Sequence, residues 1–280
     1  MPLHSDTTTV HGLLRTARAW AMADSDIPHY KDIESALTAE CLDQSGGFLY
    51  DMRLRDIAAG GAVLLESRYH VARFDEAMFG QFGIKRPASL ANSVVSRRAE
   101  YVAGRALAQC ALRHVGVRET EVSVASDRSP VWPQGVNGAI SHSHGRCAIA
   151  VSANALTFVG VDTERFAHDD ALDAILKFCI VPSERTLLDR NGAHELPQRA
   201  TLVFSAKETL YKMLFPTVKQ YFGFEAACVT EIVNDRELTL RLLQDLPGGH
   251  ASGRQFTLFY EMDAEHVTTW GHAAFEHNIA

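Results

Sequence analysis

The chain has 280 residues, 46% of them hydrophobic and 22% charged, with a net charge of −7. That apolar share supports a sizeable core and that length exceeds the commonest domain size, so one large or two modest domains are expected and a mainly disordered chain is excluded. No run reaches the roughly 18 apolar residues a membrane helix needs, and the five scattered cysteines include no CxxC pair, which speaks against a zinc site or a disulfide framework. The first thirty residues carry acids and histidines instead of a charged start and an apolar stretch. No secretory signal is expected, and reduced thiols point to the cytoplasm.

Residues 1–60 have weak periodicity, with short helices expected at 12–22 and 32–41 and a break at Gly46-Gly47. They read as an N-terminal extension, partly mobile. A strand is expected at 62–65, continuing toward Ala72. From Val94 to His114 apolar residues recur at 95, 99, 102, 106 and 110, with a second row at 103, 107 and 111, which is helical spacing. The Pro- and Gly-rich run 129–138 predicts a loop, followed by strands at 139–141 and 146–152 about a turn at 143–145. Beyond a soft break at Asn154, 156–164 reads as a buried strand. Helices are expected at 170–178, 182–190 and 197–214, then strands at 227–234, 237–243, 256–262 and 266–272. Strand, long helix, strands thus occurs twice, so the fold class is α+β with two halves, 61–154 and 155–280.

Charge is unevenly spread. Between Ile84 and Arg118 there are seven Lys/Arg against the single acid Glu100, a locally basic stretch in an acidic chain. That suits one anionic ligand better than bulk nucleic acid, or simply a solvated helix face. Arg97, Arg98, Tyr101 and Arg105 fall within an arc of about 100° on the helix, and the guanidinium fork suits phosphate. In Gly160-Val161-Asp162-Thr163-Glu164 the two carboxylates share one strand face and could supply half of a hard-cation site, or merely be solvated. In Phe204-Ser205-Ala206-Lys207-Glu208-Thr209-Leu210-Tyr211-Lys212, Ser205 and Glu208 have capping-box spacing and Glu208 with Lys212 an i,i+4 pairing. A functional reading instead has Glu208 complete a three-carboxylate magnesium site with lysines facing phosphate. His142 and His144 lie two apart on a strand without further ligands at zinc spacing, so a phosphate contact or a buried hydrogen-bonded role suits His142 better.

Five segments occur in order: Arg97-Arg98-x-Glu100-x-x-x-Gly104-Arg105, Arg128-Ser-Pro-Val-Trp132-Pro133-x-Gly135, Gly138-Ala-Ile-Ser141-His142, Gly160-Val-Asp162-x-Glu164 and Phe204-Ser-x-Lys207-Glu208-x-x-x-Lys212. Together they resemble the 4′-phosphopantetheinyl transferases of the enterobactin-synthase, siderophore-serving type, over about residues 62–262. The resemblance implies two pseudo-symmetric halves, each a small antiparallel sheet packed on a long helix, with coenzyme A in the cleft between them. It implies Mg²⁺ on Asp162, Glu164 and Glu208. It assigns catalysis to Glu208 and Lys207, with Lys207 rather than Lys212 the better phosphate contact. It also places Arg97, Arg105, Arg128, Ser141 and His142 on the adenosine-phosphate end of coenzyme A. Thr163 and Ala139 depart from the family's usual aliphatic residue and serine.

The implied reaction moves the phosphopantetheine arm of coenzyme A to a serine of an apo-acyl or peptidyl carrier protein and releases 3′,5′-ADP. The implied enzyme is a monomer with no membrane span and no nucleic-acid partner. Carrier docking is expected at Leu214-Phe215-Pro216 and Tyr221–Phe224. Two other readings keep some of the same residues: a non-catalytic coenzyme A- or carrier-binding protein of the same fold, and a metal-dependent phosphohydrolase using His142, His144 and Asp162.

Overall fold

The computed structural model describes residues 35–58, 61–189 and 195–274, and the helix expected at 12–22 lies outside them. In chain order the elements are α1 (Ala36–Gln44), β1 (Leu49–Ala58), β2 (Ala62–Tyr69), α2 (Ala77–Gln81), α3 (Val95–His114), β3 (Ser123–Val124), β4 (Pro130–Val131), β5 (Asn137–Ser143), β6 (Arg146–Ser152), β7 (Thr157–Arg165), α4 (Asp169–Phe178), α5 (Arg185–Leu188), α6 (Leu196–Val218), β8 (Ala227–Asn234), β9 (Glu237–Leu242), β10 (Gln255–Met262) and β11 (His266–Ala274). Two antiparallel sheets result, one ordered β1-β2-β6-β5 and the other β7-β11-β10-β9-β8, beside the small β3-β4 hairpin. The described residues all belong to one compact unit.

Each sheet buries one face against a long helix. On α3 the predicted apolar rows are realised from Ala99 onward: Ala99, Val102, Ala103, Leu107 and Ala111 are fully buried against the first sheet, while Val95, the first of the predicted row, is 48% exposed. Alanine dominates this stripe, so the helix lies close to the strands; a Cβ on Gly104 would come within 3.3 Å of Ile140. On α6, Leu202, Val203, Ala206, Leu210 and Met213 are fully buried against the second sheet. Here the approach is closer still: a Cβ on Gly160 of β7 would sit 2.2 Å from the Thr209 carbonyl.

The start of α6 also differs from its expected signal. Its N-cap is Glu195, whose N–H donates to Gln198 Oε1 at 2.8 Å. Ser205 and Glu208 stand in mid-helix, so their capping-box spacing caps nothing; Ser205 bonds Thr269 across the core at 2.9 Å.

One boundary is corrected. Residues 49–58, read as part of an extension, form the edge strand of the first sheet, paired with β2 from Leu49↔Tyr69 to Ala58↔Ala62. The turn predicted at 143–145 is present as His144-Gly145, both with positive φ (46° and 83°), which is the backbone a two-residue hairpin requires.

Ion pairs tie the two sheets together. Arg68 of β2 and Arg146 of β6 both bond Asp263 in the β10–β11 turn, and Arg55 of β1 bonds Glu261 of β10 at 2.9 Å. Asp263 is held down at about 2: burial opposes this but is outweighed by N–H donors from Glu265 and His266 and by Arg146.

Candidate active site

The edges β5 and β7 lie side by side, and the site is built on that seam. Asp162 and Glu164 project from one face of β7, as their spacing of two requires. Ser141 Oγ donates to Asp162 Oδ1 at 2.8 Å, and Ser143 Oγ donates to Glu164 Oε2 at 3.0 Å. From α6, Lys212 Nζ reaches the same Asp162 oxygen at 2.7 Å and Ser141 Oγ at 3.2 Å. Glu208 stands one helical turn before Lys212 on the same face. The pairing expected between Glu208 and Lys212 is thus replaced by a bond from Lys212 to Asp162.

The three acids sense one another's charge. Glu164 is pushed up to about 7, by burial first and then by the Asp162 charge, with Glu208 adding to it while Ser143 and Lys212 oppose. Burial likewise raises Glu208, against the pull of Lys212 and with the push of Asp162. Asp162 is 2% exposed, and its Oδ2 atom is buried without a hydrogen-bond partner. An orphaned carboxylate oxygen beside two acids of raised pKa is a donor set that suits a hard divalent cation. Among the described residues no three acids, imidazoles or thiols converge on one point as a ready cage, and Lys212 supplies the neutralising charge at Asp162.

The arginine stripe of α3 divides among several partners. Arg97 bonds Glu100 at 3.1 Å and lies 3.3 Å from His142 Nε2. His142 is held below the usual imidazole range, by burial and by Arg97 and Lys212 against the opposing Glu100; since a guanidinium can only donate, Nε2 is the acceptor in the Arg97 contact. Arg98 turns away to Glu76 and the Ser93 carbonyl. Arg105 is buried, its guanidinium 4.6 Å from the Tyr101 ring and its Nε without a partner. It faces a cavity of about 190 Å³ together with Lys85, Arg86, Tyr101, Gln109 and Ser123. Of these the sequence singled out Arg105 and, on the same helix stripe, Tyr101, while Lys85 and Arg86 were counted in the basic stretch. Arg128 does not line the cavity; it is exposed at φ 72° on the β3–β4 hairpin, whose Ser123 and Val124 do.

One expectation is corrected, and a second residue is found with partners inside the protein. Lys207 does not face the acid cluster: it is 4% exposed and donates to Glu184 Oε2 at 2.8 Å, the Cys179 carbonyl at 2.8 Å and the Phe224 carbonyl at 3.0 Å. Five residues separate Lys207 from Lys212, about 140° around the helix, so they serve different faces. Ser141, expected on phosphate, uses its hydroxyl inside the protein, on Asp162, Thr163 N–H and Lys212.

Further depressions adjoin the cluster. Glu208, Tyr211, Tyr221 and Phe222 line a cavity of about 210 Å³. A wider groove of about 650 Å³ runs from Glu164 and His144 past Arg165 and His168 to Phe178 and Phe204. Phe178 is 67% exposed there. Leu214, expected on a docking surface, is fully buried in the second core instead. Among the described residues no helix is long and apolar enough to cross a membrane.

Comparison with known proteins bears on this geometry. Residues 86–152 match the family described as the 4′-phosphopantetheinyl transferase N-terminal domain, and residues 158–269 match the 4′-phosphopantetheinyl transferase superfamily. Enterobactin synthase component D of Salmonella typhi is 32% identical over 179 residues, covering 63% of this chain and 74% of that protein. Its Salmonella typhimurium counterpart is 31% identical over 205 residues, 72% of this chain and 84% of that one. The 4′-phosphopantetheinyl transferase PptT of Mycobacterium tuberculosis is 34% identical over 142 residues, 50% of this chain and 61% of that protein.

Proposed function

This chain belongs to the 4′-phosphopantetheinyl transferase superfamily, and on that premise we propose that it moves the phosphopantetheine arm of coenzyme A to a serine of an apo-acyl or peptidyl carrier protein, in the presence of Mg²⁺, releasing 3′,5′-ADP. The observation that carries the reading is the set Asp162, Glu164, Glu208 and Lys212 gathered on the seam, flanked by an arginine-bearing cavity in one half and an aromatic one in the other. A nucleotide diphosphate with an amphipathic tail has the charge distribution that such an arrangement recognises.

In this reading Arg105 and its cavity hold the adenosine 3′-phosphate end, with Arg128 on the adjoining hairpin and Arg97 and His142 following the phosphates inward. Lys212 meets the pyrophosphate, and its ammonium opposes the charge that grows on the leaving phosphate. The arm lies along Tyr211, Tyr221 and Phe222. Asp162, Glu164 and Glu208 would hold Mg²⁺, which suits a site offering few protein oxygens. A bound Mg²⁺ supplies charge neutralisation at the pyrophosphate oxygens.

The carrier serine oxygen attacks the pantetheine-side phosphorus, the bond from that phosphorus to the bridging oxygen breaks, and 3′,5′-ADP leaves. Glu208, with its proton affinity raised by burial and by Asp162, takes the serine proton at its carboxylate. Lys207, which lines the same cavity as Glu208 while its ammonium bonds Glu184, supports this by fixing the helix that carries Glu208. The groove beside Glu164, apolar with Arg165, His144 and His168 along it, is the surface that an acidic carrier domain would meet. Each chain contains both halves, so the unit of action is a monomer. All five cysteines are free, as suits a reducing cytoplasm.

The test is to incubate the protein with coenzyme A, Mg²⁺ and a panel of apo-carriers, among them siderophore- and peptide-synthetase domains, and to weigh the carriers. A gain of one phosphopantetheine on any of them, lost in Asp162→Ala, is the expected result. Coenzyme A binding with no gain on any carrier would replace the transferase by a binding protein. Phosphate release from small substrates without a carrier would replace it by a hydrolase.

A further inference from the structure

Two hydroxyls on β5 face two carboxylates on β7, each pair two residues apart, and every hydroxyl does the same two things. Ser141 donates to Asp162 and accepts the N–H of Thr163 at 3.2 Å; Ser143 donates to Glu164 and accepts the N–H of Arg165 at 3.3 Å. The other side of β7 is paired to β11, and β5 lies beside this edge without a backbone ladder to it, so the serine hydroxyls of β5 take the N–H groups that ladder partners would take. Asp162 has a second anchor in Lys212. Among the described residues the hydrogen bond that the Glu164 carboxylate makes is the one from Ser143, and its direction rests on it. Ser143 is itself buried at 7% exposure and lies 3.0 Å from His144 Nδ1. A hydroxyl has one proton to give; with Glu164 ionised that proton goes to the carboxylate, and the His144 tautomer that fits is the one carrying its proton on Nδ1.

We infer that Ser143 is a positioning residue for the acid cluster: its hydroxyl aims Glu164 toward the shared cation while closing the seam between the two sheets. The inference rests on the reading that Asp162, Glu164 and Glu208 bind a divalent cation. It assigns to the second serine of Ser141-His142-Ser143 a role through Glu164 and none in contact with coenzyme A.

The experiment uses the full chain and Mn²⁺ as the probe, followed by calorimetry and by the paramagnetic signal of the bound ion, with 3′,5′-ADP binding as a check on the first half. Ser143→Ala is expected to weaken Mn²⁺ binding about 10- to 100-fold, the usual consequence of losing the partner that orients a ligand, and to leave 3′,5′-ADP binding unchanged. Ser143→Thr, which keeps the hydroxyl, is expected to restore Mn²⁺ binding. In a Glu164→Gln background the alanine change should add nothing further, because the effect passes through that carboxylate. Unchanged Mn²⁺ affinity in Ser143→Ala overturns the inference. So does a folded Ser143→Thr that binds Mn²⁺ as poorly as the alanine variant, and if the alanine variant does not fold, a Ser143→Thr protein with intact 3′,5′-ADP binding but weakened Mn²⁺ binding overturns it equally. Wild-type protein that labels a carrier yet binds no Mn²⁺ sinks this inference together with the cation site it rests on, and leaves the transfer reaction standing. Wild-type protein that binds Mn²⁺ but labels no carrier sinks the proposed reaction and leaves the role of Ser143 standing.

Discussion

Replacing Lys207 with alanine separates two accounts of a lysine that the sequence places next to Glu208. Its ammonium is sealed against Glu184, which is fully buried. Removing one partner of such a pair leaves an uncompensated charge, at a cost of about 3–5 kcal/mol. Glu184 would still accept N–H groups from Val181 at 2.9 Å and Val229 at 2.6 Å, which favours the lower end of that range. For a chain of this size about 3 kcal/mol lowers the melting temperature by roughly 6–12 °C. The assay pairs thermal melting with carrier labelling run well below both midpoints. Lys207→Ala is expected to melt early and to retain substantial labelling. The paired change Lys207→Met with Glu184→Gln should recover much of the loss, because neither group is then left charged and alone. A Lys207→Ala protein with wild-type melting and no labelling would refute the reasoning and return this lysine to the phosphate.

Three other outcomes follow from the packing and electrostatics. Arg105→Ala should raise the KM for coenzyme A more than it lowers kcat, since its guanidinium lines a cavity away from the acid cluster; steady-state kinetics with coenzyme A varied decides. Gly160→Ala forces a Cβ to 2.2 Å from the Thr209 carbonyl and 2.9 Å from Met213, so α6 must lift from β7. A loss of about 1–3 kcal/mol in urea unfolding, with weaker labelling because Glu208 and Lys212 move with the helix, is expected. His266 is 5% exposed and pushed down to about 4 by burial and then by Arg146. Between its unfolded value near 6.5 and about 4 the unfolded chain binds a proton that the native state refuses, so stability falls as pH drops through that window, by up to about 3 kcal/mol. Urea midpoints at both ends of the window should converge in His266→Gln; an unchanged slope would clear this histidine.

Much of the scaffold was legible because the signals are local. The 3.6-residue recurrence in 95–111 is a property of the segment alone, and it became α3 within a residue of its expected bounds. β8 matches its predicted span from Ala227 to Asn234. β1 was hidden for an equally physical reason: as an edge strand it carries Asp51, Arg53, Arg55 and Asp56, with Asp51 at positive φ, and its alternation is broken by irregular register. The Ser205–Glu208 spacing misled because the same four-residue interval serves a helix start and a helix interior. Only the position of the first uncapped N–H groups tells the two apart.

The sequence by itself determined which residues carry charge, which strand presents Asp162 and Glu164 together, and which helix holds Glu208 and both lysines, because periods of two and 3.6 residues act within a segment. Tertiary structure alone decided the partners. Asp162 meets Ser141 from 21 residues back and Lys212 from 50 residues on, while Lys207 finds Glu184 on the opposite side of the same helix. No local rule links such distant positions. They meet because two apolar helix stripes and two sheet faces must be buried at once, and the seam that this burial creates sets which hydroxyl and which ammonium each acid encounters.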